Sequence, residues 1–360
     1  MMKTRSILVG LIGLILSLYP SDAGAQVDNK VLEKIQKSYI AGKYDNAYTL
    51  LEKEFLRTNS LFLGLLLGDL YMSGMGTKQN LEKADSIFRW ISTVEVNSPM
   101  DDEDRGVICR MKGYAYRSSA LISIMKSGNK MDEHVEENVI YMFKKAVELS
   151  DDVIATKILG EYYVLEYEKK SDEYQKGLDY LKSAAQRNSI GALCLLAEIS
   201  EGLGDIDTAM LYWTQAANVD ISIKDSTNLL SGIINPNPDK KDAEENKNRA
   251  IYALAKVYSD VLNYEEALIW LEKLTIETPK YLNLKGLCYS GINKELSLKA
   301  FYRSLKLKEN SNVYHLLGMF YKELWDDEEM SRKSLMKAIE LGNKKAGKCY
   351  ESYYGTSTQK

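Results

Sequence analysis

The sequence is short of the residues that most catalytic and metal chemistry needs. Two histidines in 360 residues, His134 and His315, leave little room for a catalytic triad or a His-based metal site. Five prolines and 23 glycines exclude collagen-like and proline-rich low-complexity chains. A net charge of −4, from 47 Lys and Arg against 51 Asp and Glu, lacks the positive excess of nucleic-acid-binding domains. What is present describes a folded chain: 45% hydrophobic residues with 27% charged is far from the composition of intrinsic disorder. Tyrosine is over-used, at 25 against six phenylalanines.

The first residues form a targeting signal. Lys3 and Arg5 precede an apolar run from Ser6 to Leu18, Pro20-Ser21-Asp22 breaks it, and Ala23-Gly24-Ala25 offers a small-x-small cleavage site. This pattern predicts a secretory signal peptide over residues 1–25. The apolar run is too short for a bilayer-spanning helix, which needs roughly 20 residues, so no membrane segment is expected after cleavage. No cysteine lies near the cleavage point, so no lipoprotein anchor is expected either. The protein is thus predicted to be exported, periplasmic or extracellular, with a mature net charge of −5 once Lys3, Arg5 and Asp22 are removed.

Four cysteines in an exported protein raise the question of disulfides. Cys109, Cys194, Cys288 and Cys349 are 85, 94 and 61 residues apart, unlike the short spacings of disulfide scaffolds. Each lies in an apolar helical stretch, which suits a buried thiol. No CxxC or neighbouring histidine supplies metal-ligand spacing, so neither a metal nor another cofactor is expected.

The organising feature is a repeat. Gly or Ala followed by tyrosine three residues later recurs at Gly68/Tyr71, Gly113/Tyr116, Gly160/Tyr163, Ala255/Tyr258, Gly286/Tyr289 and Gly318/Tyr321, and Ala197/Ser200 holds the same place. From Ala255 apolar residues follow at Ala267, Leu271 and Leu274, and from Ala197 at Ala209, Trp213 and Ala216. Both sets lie at offsets 12, 16 and 19. At about 100° per residue the first group keeps one side of a helix apolar, and the second group does so on a following helix. Turns fall at Gly204-Asp205 and Asn263-Tyr264-Glu265, and Pro279 is expected to close the second helix. One hairpin cannot bury both of its faces, so hairpins must stack.

These segments resemble tetratricopeptide repeats, several of the Sel-1-like variant with its longer turn. The Sel-1-like form is clearest in Leu67-Gly68-Asp69-Leu70-Tyr71-Met72-Ser73-Gly74-Met75-Gly76, continuing through Leu81 to Ala84 and Phe88. Gly42-Lys43-Tyr44-Asp45-Asn46-Ala47 is similar to an ordinary tetratricopeptide half-repeat. The resemblance implies an all-α fold, an α-solenoid, a right-handed superhelix of stacked antiparallel hairpins over residues 26–352, and a disordered tail over 353–360. Cysteine-rich secreted Sel-1-like proteins credited with β-lactam hydrolysis pair cysteines within each repeat; that pairing is missing here.

The array is irregular. The anchors are 45, 47, 37, 58, 31 and 32 residues apart. An expanded turn is expected around Ser127 to Glu133, His134 is expected in an exposed turn, and a solvated turn is expected over Asp101 to Asp104. Asn235-Pro236-Asn237-Pro238 and the charged run Asp239 to Lys247 read as an exposed loop. That loop, over 231–248, either divides the array into two sub-solenoids or interrupts a continuous one.

No motif commits the chain to catalysis. Gly74-Met75-Gly76-Thr77-Lys78 is superficially like a phosphate loop, but it follows a helix and lacks the G-x-x-x-x-G-K frame. No Gly-x-Ser-x-Gly occurs. The concave face of such an array is set by positions +1 and +4 from each anchor, roughly 90 to 150° from the apolar stripe. Among them Asp69, Tyr114, Arg117, Glu161, Glu198, Glu201, Lys256 and Lys322 are the candidate contacts for a protein or peptide partner. Two readings stand at this level. One is a non-catalytic interaction scaffold of the bacterial cell envelope, with no nucleic-acid role. The other is a cell-wall or glycan-active enzyme, or its regulatory subunit, using carboxylates such as Glu198 and Glu201.

Overall fold

The computed structural model describes residues 27–95, 101–128, 131–221 and 238–355. The predicted signal peptide and residues 231–237 of the expected loop lie outside this range. The described residues contain seventeen helices and no strand, and they fall into two compact units. Unit 1 holds residues up to 196 with 220–241, and unit 2 holds 197–219 with 242 onward. Each is an α-solenoid of antiparallel helical hairpins.

In unit 1, α1 (Asn29–Ile40), α2 (Tyr44–Thr58), α3 (Leu61–Ser73), α4 (Leu81–Thr93) and α5 (Asp102–Ser127) share one core. Helices α6 (Glu133–Ser150), α7 (Val153–Glu166) and α8 (Asp172–Gln186) build the next. Helix α9 (Ile190–Gly202) follows, with residues up to Leu196 in unit 1 and those from Ala197 in unit 2. Helix starts are fixed by side-chain caps: Ser60, Asn80, Asp101, Asp132, Asp152 and Ser171 each accept a backbone N–H of the first turn, satisfying donors that helix geometry leaves unpaired. Helix α3 is buried on nearly every side, from Leu61 to Tyr71, because both α4 and α5 pack against it.

Unit 2 contains α10 (Ile206–Asn218), α12 (Tyr264–Leu271), α13 (Pro279–Tyr289), α14 (Lys294–Leu307), α15 (Ser311–Glu323), α16 (Glu328–Glu340) and α17 (Lys344–Tyr354), with most of α11 (Pro238–Asp260). The repeat anchors are notches. A Cβ on Gly286 would lie 2.8 Å from the Phe301 ring, one on Gly318 would lie 2.6 Å from Leu335, and in unit 1 one on Gly68 would lie 2.7 Å from Phe88. Only glycine lets the second helix of each hairpin come that close. Ser297 and Ser331, fully buried one turn before Phe301 and Leu335, donate to the carbonyls of Gly286 (2.8 Å) and Gly318 (2.7 Å). The same hydrogen bond therefore locks two successive hairpins across their notches.

Five local expectations are corrected. The charged run Asp239–Lys247 is helical, inside α11; a proline suits the first helical position, and Lys, Glu and Ala are good helix formers. Asp102 to Asp104 form the first turn of α5 rather than a loop, where acids complement the helix dipole. His134 lies in the first turn of α6, exposed. Pro279 opens α13 behind its cap Thr278 instead of closing the helix before it. At the other end, Tyr353 and Tyr354 belong to α17, and Tyr353 donates to Glu323, so the expected tail does not begin at 353.

Candidate functional site

The eight candidate contacts divide by unit and by burial. In unit 1, Asp69, Tyr114 and Arg117 are buried, so they are not open groove positions. Helical spacing points them away from the apolar stripe of their own helix, but α3 and α5 pack against each other, and the gap between them takes these side chains. Tyr114 Oη donates to Asp69 Oδ2 at 2.6 Å. The Arg117 guanidinium stacks 4.5 Å from the centre of the Tyr114 ring and pairs with Asp152 at 3.2 Å. Asp152 also caps α7 by accepting from Ala155 N at 2.8 Å. The cluster thus ties α3, α5 and α7 together. Burial pushes the Asp69 carboxyl up to about 7, although the Tyr114 hydrogen bond and the Arg117 charge pull against it.

The fourth candidate of unit 1, Glu161, is partly exposed on α7 and pairs with Lys157 one turn earlier at 2.9 Å. In unit 2, Glu198 pairs with Arg249 of α11, and Glu201 accepts the indole N–H of buried Trp213 at 2.9 Å. Lys256 pairs with Asp260 at 3.4 Å, and Lys322 pairs with Glu328. Lys322 holds the Glu328 carboxyl below its ordinary range. These five remain at the surface, each oriented by a neighbour on its own unit.

One polar contact between chemically reactive groups was not legible. His315 on α15 and Cys349 on α17, 34 residues apart, bring Nε2 and Sγ to 3.1 Å. Burial, with the Lys345 charge, pushes the His315 imidazole down, which favours the neutral ring, and its tautomer sets which of the two groups donates. All four cysteines are thiols; Cys194 and Cys288 are buried, Cys109 and Cys349 half-buried. Burial raises the Cys288 thiol further, and the thiolate is the reacting form. Titration of the native protein with a disulfide reagent is therefore expected to modify Cys109 and Cys349 first, and Cys194 and Cys288 only after unfolding. His315→Phe should slow Cys349 several-fold by removing the imidazole that lies against its sulfur; equal rates at all four positions would contradict this burial pattern.

A small cleft in unit 2 lies between Leu271, Leu274, Ile276, Glu277, Tyr281 and Lys285, with a volume of about 140 Å³. Ordinary ligand pockets run from roughly 300 to 1,000 Å³, so it is too small for a sugar or cofactor. Among the described residues no group of three or more His, Cys, Asp or Glu could hold a metal ion, and no helix is long and apolar enough to cross a membrane.

No protein-family model matches the chain, and no curated protein does. Among solved structures it is similar to a Sel1 repeat protein from Oxalobacter formigenes, at 17% identity over 86% of this chain and 99% of that one, with a TM-score of 0.44. It is also similar to a protective antigen of uropathogenic Escherichia coli that displays an SLR fold, at 15% identity over 90% and 75%, TM-score 0.36. A third is the tetratricopeptide domain of P58(IPK), at 15% over 92% and 99%, TM-score 0.25.

Proposed function

We propose that this protein is a non-catalytic interaction scaffold of the bacterial cell envelope that holds a peptide or partner protein on an exposed face of its repeats. The observation that carries the reading is the state of the charged candidates. Glu161 stands at the surface of α7 in unit 1, and Glu198 and Glu201 on α9, Lys256 on α11 and Lys322 on α15 stand at the surface of unit 2, each held in place by an internal partner, which lowers the ordering cost of binding. Export is supported by the N-terminal charge, apolar run and small-residue site. The enzymatic alternative gains nothing from Glu198 and Glu201: one neutralises Arg249 and the other caps an indole, and neither borders the described cleft. Capture of envelope proteins on the immobilised chain should yield a saturable partner. Glu161→Lys, Glu198→Lys and Glu201→Lys together should weaken that partner about ten-fold or more, the loss expected when a few charged anchors are reversed. Finding no saturable partner would sink the proposal.

A further inference from the structure

Unit 2 carries a row of apolar side chains that its fold does not bury. The turns leading into α10, α12, α14 and α16 expose Leu203, Val261 with Leu262, Ile292 and Leu324, each more than half accessible. Each lies within three residues of the cap that starts the next helix, Asp205, Asn263, Asn293 or Asp327. In an up-down array of hairpins these turns fall at one edge, and direct contacts confirm it for the last three. Ser259, at the end of α11, hydrogen-bonds Cys288 near the end of α13. Trp325 Nε1 donates to Ser290 O at 3.3 Å, and Lys294 lies 5.4 Å from the centre of the Trp325 ring.

Leu262 is the sharpest member. Its φ is +61°, in the left-handed region, whereas the equivalent residues before the caps Asp205 and Asp327 are Gly204 (φ +80°) and Asp326 (φ +51°). A leucine there strains the backbone and, 71% exposed, returns almost no burial to the fold. The position is therefore poorly explained by stability.

Charge distinguishes this edge from the opposite one. The four turn segments, residues 201–207, 259–266, 290–295 and 322–329, contain twelve carboxylates and two lysines. Both lysines are engaged, Lys294 over the Tyr321 and Trp325 rings and Lys322 with Glu328. The turns at the other ends of these helices, 272–280, 306–309 and 340–345, contain four glutamates and six lysines. Acids at helix starts are ordinary, but they do not account for exposed leucine, isoleucine and valine interleaved with them.

We propose that this acidic, apolar edge of unit 2 docks a cationic amphipathic helix of a partner protein, its apolar side chains meeting Val261, Leu262, Ile292 and Leu324 and its lysines or arginines meeting the carboxylates around them. Neighbouring helices stack at roughly 8–10 Å, and one apolar residue every seven along a helix advances about 10.5 Å, so one helix can touch successive turns. The inference rests on the scaffold reading and names its partner's chemistry. A negatively charged bilayer is disfavoured by the same carboxylates.

The test uses the full chain and fluorescent synthetic peptides: a Leu/Lys amphipathic helix, its Leu/Glu counterpart and a Ser/Lys counterpart without the apolar stripe. Only the Leu/Lys peptide should bind well. Leu262→Gly with Leu324→Ser should weaken it about ten-fold or more, a loss typical of anchor residues, while Ile276→Ser with Leu307→Ser on the opposite edge should not. Leu262→Gly alone relieves the positive φ, so its thermal midpoint should hold or rise, which separates lost binding from lost folding. The proposal is overturned if the edge variants bind the Leu/Lys peptide as the parent does. It is also overturned if the edge variants instead abolish self-association in sedimentation, or if anionic vesicles bind the edge as well as the peptide does. If peptide binding fails while envelope capture still depends on Glu161, Glu198 and Glu201, this edge is wrong and the scaffold stands.

Discussion

Phe301→Ala is expected to lower the stability of unit 2 by about 3–5 kcal/mol, the usual cost of deleting a fully buried phenylalanine. The size follows from the notch it fills. Phe301 is completely buried, its ring occupies the space left by the missing side chain of Gly286, and it packs 6.0 Å from Phe320 on the next hairpin. Removing it leaves a cavity that the close pair α13 and α14 cannot close, because Ser297 already fixes their separation through the Gly286 carbonyl. Phe301→Leu should cost less, since a leucine fills most of the notch in the way that Leu335 fills the one at Gly318. Trp325, 5.9 Å from Phe320, gives the readout: urea titration followed by its fluorescence should show the midpoint fall steeply for alanine and less for leucine. A change below about 1 kcal/mol for alanine, the range of exposed-site changes, would mean that the notch is not the keystone of this hairpin.

The anchor of that notch, Gly286, was legible before any coordinates, and its filler Phe301 was not. Gly or Ala facing a bulky residue on the following helix is written into pairs such as Gly68/Phe88 and Ala197/Trp213, because close helix packing demands a small residue opposite a large one, although the turn between them makes the offset 20 residues in the first pair and 16 in the second. Burial of Asp69, Tyr114 and Arg117 was not legible by the same arithmetic. Helical spacing gives a side chain's direction from its own axis and is silent about a second neighbour on that side. The missed signal was the apolar run Leu61 to Leu67, which offers no polar face and so announces a helix covered all round. The buried serines 297 and 331 were hidden for another reason: serine is a poor apolar residue by type, and only the facing glycine carbonyl makes it a good one. His315 and Cys349 meet through α15 and α17 at a separation that no local motif encodes. The charged run after Pro238 misled because charge and proline are shared by loops and helix starts.

Asp69→Asn is expected to make unit 1 more stable at pH 8 and to flatten its pH dependence between about 4 and 7. The unfolded carboxyl titrates near its ordinary value of 3.8, whereas in the folded protein it titrates at about 7. Between these limits the native state holds a proton that the unfolded state has lost, so stability falls as pH rises through the window. The decrement is on the order of 4 kcal/mol at most, at about 1.4 kcal/mol per unit of displacement, with Arg117 and Tyr114 resisting a larger shift. Carboxylates held low, such as Glu52 by its two tyrosine donors and Glu54 by Arg57, act in the opposite sense but lower on the scale, gaining stability as pH rises through about 4. The parent should therefore be most stable near pH 5, between the two effects. Asparagine copies the protonated carboxyl: it is neutral, it keeps an acceptor for Tyr114 Oη, and like Asp69 Oδ1, which has no hydrogen-bond partner among the described residues, its remaining polar atom faces the same unfilled position. At about pH 4, where the unfolded carboxyl is still partly protonated, the variant should match the parent, and at pH 8 it should exceed it. Hydrogen-exchange protection of α3 and α5, corrected for intrinsic rates at the two pH values, reads the difference where it arises. If the parent's loss of protection at pH 8 persists in Asp69→Asn, the titrating group lies elsewhere and Asp69 is held ionised by the guanidinium beside it.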